Sequence, residues 1–189
     1  MNMKKVMTLV LAMALLVTVA VAGTVAWLMD TTDSVVNTFT TSDVDIDLAE
    51  TTGTSYQMIP GETIVKDPAV TVYADSVECW VFVKVEESAD FDEYMTYAMA
   101  DGWEKLSGAE GVYYRSVADT DADQKFAVLK AETVDGKTYQ LTVNSDITKS
   151  EMEALTEATY PKLTFTAYAI QKVGFDTAAA AWNEISKAG

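Results

Sequence analysis

Residues 78–86, Glu78-Cys79-Trp80-Val81-Phe82-Val83-Lys84-Val85-Glu86, decide the architecture. Side chains of an extended chain point alternately to its two faces, so Cys79, Val81, Val83 and Val85 share one wholly apolar face. This is the most apolar strand of the chain and reads as a central one. Outward from it the same period of two recurs. Val70 to Tyr73 reads as a strand joined to it by Ala74-Asp75-Ser76 as a hairpin connection, and Pro60-Gly61 marks a turn. Asp43 to Leu48 alternates Val44, Ile46 and Leu48 with Asp43, Asp45 and Asp47, a half-buried strand with an acidic outer face. Those aspartates stand roughly 7 Å apart along the strand. That is too far to share one ion and suits the protection of a sheet edge.

Towards the C-terminus, Val112 to Val117, Phe126 to Ala131 and Tyr139 to Val143 read as further strands, with Asp135-Gly136 turning between the last two. Leu163 to Ile170 sets Leu163, Phe165, Ala167 and Ala169 against Thr164, Thr166, Tyr168 and Ile170, a core strand. Helices look short and peripheral. Asp90 and Glu93 form a capping pair ahead of Phe91, Tyr94, Met95 and Ala98 at helical spacing, ended by Gly102. Ser150 can cap a turn through Met152 to Leu155, and Asp176 or Thr177 can cap Ala178 to Ile185. Some eight short strands without β-α-β alternation predict an all-β antiparallel sandwich with a few peripheral helices.

Composition narrows the function classes. With 29 acidic and 13 basic residues the net charge is −16, which argues against nucleic acid, since phosphate binding needs clustered Lys and Arg. It also disfavours anionic membranes. Cys79 stands alone, so no intramolecular disulfide forms, and on its apolar strand face it reads as a buried, inert thiol. The chain has no histidine, which removes the Ser-His-Asp triad, the Cys-His dyad and the H-E-x-x-H zinc site. Asp119-Thr120-Asp121-Ala122-Asp123 spaces its acids as a calcium loop does, but the sixth and twelfth positions are Gln124 and Lys130. Glycine and a carboxylate belong there, so a solvated loop is the reading. No catalytic residue, metal ligand or cofactor is expected.

The N-terminus reads as an export signal. Lys4 and Lys5 precede Val6 to Ala22, an almost wholly apolar run, followed by two small-x-small sites, Ala20-Val21-Ala22 and Thr24-Val25-Ala26. Composition does not choose between them. Val6 to Leu28 is also long enough to cross a bilayer at about 20 residues per span, so a retained anchor is the competing reading. The small residues crowding Ala20 to Ala26 suit a peptidase better.

Lys4-Lys5, the apolar run, Gly-Thr-x-Ala-aromatic at Gly23 to Trp27, and Asp30 together resemble the signal and mature start of the TasA/camelysin (CalY) proteins of Gram-positive bacteria. The similarity continues through Asn37-Thr38-Phe39-Thr40, Val44-Asp45-Ile46-Asp47-Leu48 and Pro60-Gly61-Glu62, and echoes weakly at Ala169-Ile170-Gln171 and Ala181-Trp182-Asn183. The resemblance implies cleavage between Ala26 and Trp27 by the signal peptidase SipW, a jelly-roll fold, and a secreted biofilm-matrix protein on the cell surface or in the extracellular matrix. Cleavage there leaves residues 27–189 as a single domain and removes two lysines but no acid, taking the net charge from −16 to −18. Camelysins also carry a metallopeptidase label, for which this chain lacks the histidine ligands.

An interaction function remains. Once cut, Trp27, Leu28 and Met29 form a free apolar end, followed by a β-compatible stretch in which Val35, Val36 and Phe39 are available for burial. Such an end either folds back on its own domain or adds as a strand to the next molecule, as the TasA resemblance implies. A head-to-tail contact of that kind does not close and propagates into fibres. Self-association, or a related matrix protein, is the expected partner. A monomeric secreted binding module sharing only the signal and the fold is the alternative.

Overall fold

The computed structural model describes residues 44–53, 55–134 and 136–188. The signal, the cleavage site at Ala26 and Trp27, and the proposed donor residues Leu28, Met29, Val35, Val36 and Phe39 lie outside the described residues. Among the described residues no helix is long and apolar enough to cross a membrane.

The long strand anticipated at 78–86 organises what is described. It is β4, Cys79–Glu87; β1 (Ile46–Ala49), β2 (Thr63–Ile64) and β3 (Ala69–Val72) precede it. After it come the single turn α1 (Phe91–Tyr94), β5 (Met95–Tyr97), β6 (Glu104–Lys105), β7 (Val112–Val117) and β8 (Gln124–Ala127). Then follow β9 (Glu132–Val134), β10 (Lys137–Tyr139), β11 (Leu141–Val143), α2 (Lys149–Ala154), β12 (Leu163–Gln171) and α3 (Ala178–Ala188). The described strands form sheets of order β12-β4-β7-β6, β1-β3-β8 and β2-β11-β5 and the hairpin β9-β10, and every pairing is antiparallel. The chain is mostly β and antiparallel, as its alternation predicts.

β4 is buried on both faces. Cys79, Val81, Val83 and Val85 enter the main core with Val70, Val72, Leu141 and Val143, so this core draws on all three larger sheets. Phe82, on the other face, is fully buried with Val112, Ala178 and Ala181. The opposite face of β4 is covered by α3, whose Trp182 ring lies 5.3 Å from Phe82 and 5.4 Å from Tyr168. Residues 178, 181, 182 and 185 recur at helical spacing and form its apolar stripe. The helix is therefore part of a second core and not peripheral. Thr177 caps it, its hydroxyl accepting from the Ala180 N–H at 3.2 Å. β12 pairs with β4 along nine residues, and its two faces divide as anticipated: Leu163, Phe165, Ala167 and Ala169 line the main core, Tyr168 and Ile170 the second.

Several expectations are corrected. Ala74-Asp75-Ser76 is no hairpin, because β3 and β4 belong to different sheets. It is a crossing turn held by Asp75 N–H to Thr120 O (3.2 Å) and Ala74 N–H to Asp123 Oδ1 (2.9 Å). Helical spacing over 91–98 yields one turn only, since Met95–Tyr97 pairs with β11 and the cross-strand bonds outweigh a marginal helix. Asp90 makes no side-chain cap. The cap of α2 is Thr148, not Ser150, in a reciprocal box with Glu151. The run 126–131 leaves β3 after Ala127 and bonds to residues 98–100 instead. Tyr139–Val143 breaks at Gln140 into β10 and β11, and the turn at Gly136 leads into β10 paired with β9, too short to show a period.

Gly111 tests how tightly β4 is fitted. A Cβ there would sit 2.3 Å from Val85 O, whereas one on Gly108, with a similar positive φ, would meet nothing within 4 Å. Gly108→Ala should cost about 1 kcal/mol for the left-handed backbone alone. Gly111→Ala should cost about 3 kcal/mol or more, or abolish cooperative unfolding. Urea titrations of the two variants check this, and equal costs would show that β4 gives way.

Candidate functional site: an apolar groove over a buried ion pair

Four segments that need not touch for the sheets to form converge on one open cavity of about 840 Å³. The extended stretch 55–59 and the end of β2 form one wall, and α1 with β5 contributes Phe91 and Met95. The α2 helix overhangs with Met152 and Leu155, and residues 160–164 lead into β12. The lining is dominated by aliphatic, Met and aromatic side chains. At its mouth Ile59 and Tyr160 are 56 % and 50 % exposed, the kind of apolar exposure that marks an interaction surface.

Local chemistry explains each wall. Pro60-Gly61 closes a turn through Glu62 N–H to Ile59 O at 3.0 Å, setting Ile59 at the rim. α2 buries none of its residues and rests on its capping box, so Met152 and Leu155 are held out over the cavity. The start of β12 is pinned by Ser88 N–H to Lys162 O and Lys162 N–H to Ser88 Oγ, both 3.0 Å. Among the described strands β12 is the outer one of its sheet, so the cavity opens at a strand that no described strand pairs on its other side.

A charge lies among these apolar walls. Lys66 Nζ is bound by both carboxylate oxygens of Glu50 at 2.8 Å, with the two side chains only 10 % and 16 % exposed. Nζ also lies 5.3 Å from the Tyr56 ring and 5.5 Å from that of Phe165. Tyr56 donates its hydroxyl to Glu50 at 2.6 Å. Burial first, then the Glu50 bond, pushes that phenol up to about 12. Beside it Asp67 accepts from the hydroxyls and N–H groups of Thr51 and Thr52, which hold it down at about 2 despite some desolvation. The loop 50–56 is thus tied to β2 by a continuous polar network under an apolar groove.

Sequence reasoning missed this pair, although one signal was present. In Thr63-Ile64-Val65-Lys66 the period of two puts Lys66 on the face of buried Ile64, and Lys66 is 8 % exposed. The residues it did single out fall elsewhere. Asp47 is exposed on β1, an outer strand among the described ones, and Asp45 is exposed just ahead of it. Cys79 is fully buried and its thiol is pushed up to about 11 by desolvation, then by the Glu78 charge. Asp119 and Asp121 line a separate shallow hollow with Asp75, while Asp123 is engaged by the Ala74 N–H. Among the described residues no group of three or more acidic or Cys side chains is placed to hold a metal.

Removing one member of a buried pair strands the other charge. Lys66→Met should therefore destabilise by about 3 kcal/mol, and adding Glu50→Gln, which keeps an acceptor for Tyr56, should recover more than half. Urea unfolding of the double-mutant cycle measures this; no recovery would mean that the lysine acts by packing alone. Asp67 has a folded value below its unfolded one, so its contribution is present above about pH 4 and is lost as pH falls towards 2. Asp67→Ala should cost about 1 kcal/mol at pH 7 and only a small part of that near pH 2, where the folded carboxylate is about half protonated. Denaturation at both pH values decides it, and a pH-independent cost would assign Asp67 a purely steric role.

No family model matches this chain, and no curated protein and no solved structure matches it. The groove and the sequence carry the functional reading by themselves.

Proposed function

We propose that this chain is a secreted, non-enzymatic structural protein of the extracellular matrix, of the TasA/camelysin type, with a jelly-roll arrangement of its sheets. In this reading SipW-type cleavage after Ala26 frees Trp27, and residues 27–39 of one copy add to the groove of the next. The observation that carries it is the groove itself: an apolar cavity of about 840 Å³ opening beside the outer strand β12. Strand addition needs those two things together, main-chain groups for the incoming backbone and pockets for alternate side chains. Trp27, Leu28, Met29, Val35, Val36 and Phe39 supply the apolar side chains. Asp30 and Asp33 come from a chain of net charge −16, and Lys162 at the groove offers them a cation. Before cleavage the signal would hold the donor at the membrane, so export would switch assembly on. The absence of histidine from the sequence favours binding over peptidase chemistry.

The test compares the chain starting at Trp27 with one starting at Thr38, by light scattering and negative-stain microscopy. Filaments from the longer chain alone are expected. Met152→Asp, which changes a lining residue of a helix with no buried position, should leave monomer stability within about 0.5 kcal/mol. It should raise the concentration needed for filaments about tenfold or more, the loss of one buried side chain. Monomers from both chains would overturn the matrix reading and favour a monomeric module that uses the groove for a ligand.

A further inference from the structure

Arg115 is the only arginine in the sequence, and its setting differs from that of every described lysine in an ion pair. It stands on β7 opposite Val81 of β4, on the face that carries Tyr113 and Val117 to the main core. Pairing with β6 stops one residue earlier, at Tyr114. The guanidinium packs against aromatic rings: its carbon is 3.7 Å from the Phe126 centroid and 5.3 Å from that of Trp103. Trp103 is itself fixed, donating Nε1–H to Ala127 O at 2.8 Å. Gly102 packs against the guanidinium, where a Cβ would come 3.0 Å from one terminal nitrogen, 3.4 Å from the guanidinium carbon and 3.5 Å from the other nitrogen, so a larger residue would crowd the group.

The group has aromatic neighbours and no anion. None of the six ion pairs among the described residues includes it. Its Nε is buried without a hydrogen-bond partner, the one such side-chain atom among the described residues. Burial lowers its proton affinity and no neighbouring charge restores it. An unpaired, partly desolvated cation is costly, yet this sequence has 29 carboxylates and brings none of the described ones to it. Of its nitrogens Nε alone is buried without a partner, which leaves the terminal nitrogens for a planar anion such as a carboxylate, which arginine binds through two parallel bonds.

We propose that the terminal nitrogens of Arg115, packed against Phe126 and Trp103 beside Gly102, are a receptor site for a carboxylate supplied from outside the fold. The chemistry fits an acidic side chain of a second copy or a free small carboxylate. The site is separate from the groove, so it does not depend on the strand-donation reading.

A single arginine makes the test specific. Protein purified from cells expressing the full 189-residue sequence and labelled with ¹⁵N-arginine gives side-chain signals from Arg115 alone, and the terminal Nη–Hη signal is followed because Nε is buried. Sodium acetate is titrated against sodium chloride at constant ionic strength, and separately the protein is diluted in chloride alone. A saturable downfield shift with acetate and not with chloride supports the site. Added movement on dilution assigns the natural carboxylate to a second copy; its absence assigns it to a free ligand. Phe126→Leu keeps the arginine and should raise the acetate dissociation constant about threefold to fivefold, the loss of one stacking contact. A signal that neither acetate nor dilution moves, or that chloride moves equally, overturns the proposal.

Discussion

Everything described depends on one strand having two insides. β4 carries apolar side chains on both faces, so it is stable only where both are covered, and the two covers come from opposite ends of the chain. The main core collects Val70 and Val72 from one sheet and Leu141 and Val143 from another, all against Cys79, Val81, Val83 and Val85. The second is closed by α3, which brings Trp182 onto Phe82 from a hundred residues downstream. Full burial of side chains of this size contributes about 1.5–3 kcal/mol each, and no other described strand gathers as many. Nine residues of pairing with β12 then fix the register, because a slip by one residue would exchange the two faces and put Tyr168 where Ala167 fits.

The groove follows from where that strand pairing ends. β12 begins at Leu163, and ahead of it the chain has only the short capped helix α2 and a turn with which to bridge from β11. Neither buries enough to close over Phe91 and Met95. The gap is walled instead by residues 55–59, and that wall stands because Glu50, Tyr56, Thr51 and Thr52 are tied to Lys66 and Asp67. A polar network is costly to bury unless every member is satisfied. Here the carboxylate, phenol and ammonium satisfy one another, so an apolar cleft is kept open by a polar hinge-pin rather than by its own packing.

The sequence was most legible where a side-chain period of two ran for six residues or more. β4, β7 and β12 follow from their alternation to within two residues, and the alternation at β1 leaves Asp47, and Asp45 just ahead of the strand, exposed. β2, β5, β6, β9 and β10 are two or three residues long, and a period cannot be read from so few. Residues 91–98 mislead for a definite reason: Phe91 and Met95 are both buried at a spacing of four, but a turn followed by a strand buries them as well as a helix does. The ends of the chain behave differently. α3 was readable as a helix, yet its covering of β4 was not, because nothing local says which face of which sheet an Ala-rich stripe will meet. The groove was illegible for the same reason, being made of four segments up to a hundred residues apart.

Charge placement separates buried Lys66 and half-buried Arg115 from the other described cations. Every other ion pair described has side chains about a third exposed or more, where such pairs contribute little. Lys66 and Arg115 alone sit between aromatic rings at the edge of the main core. Lys66 has Glu50 because the loop that follows β1 turns back over β2 and must be held there. Arg115 lies past the end of β6, where the next chain segment is Gly102 and Trp103, and neither can supply an anion. An acidic chain could have placed a carboxylate there with one substitution. It carries a glycine against the guanidinium instead, and in the proposed reading the cost of the unpaired cation is recovered when something else brings the charge.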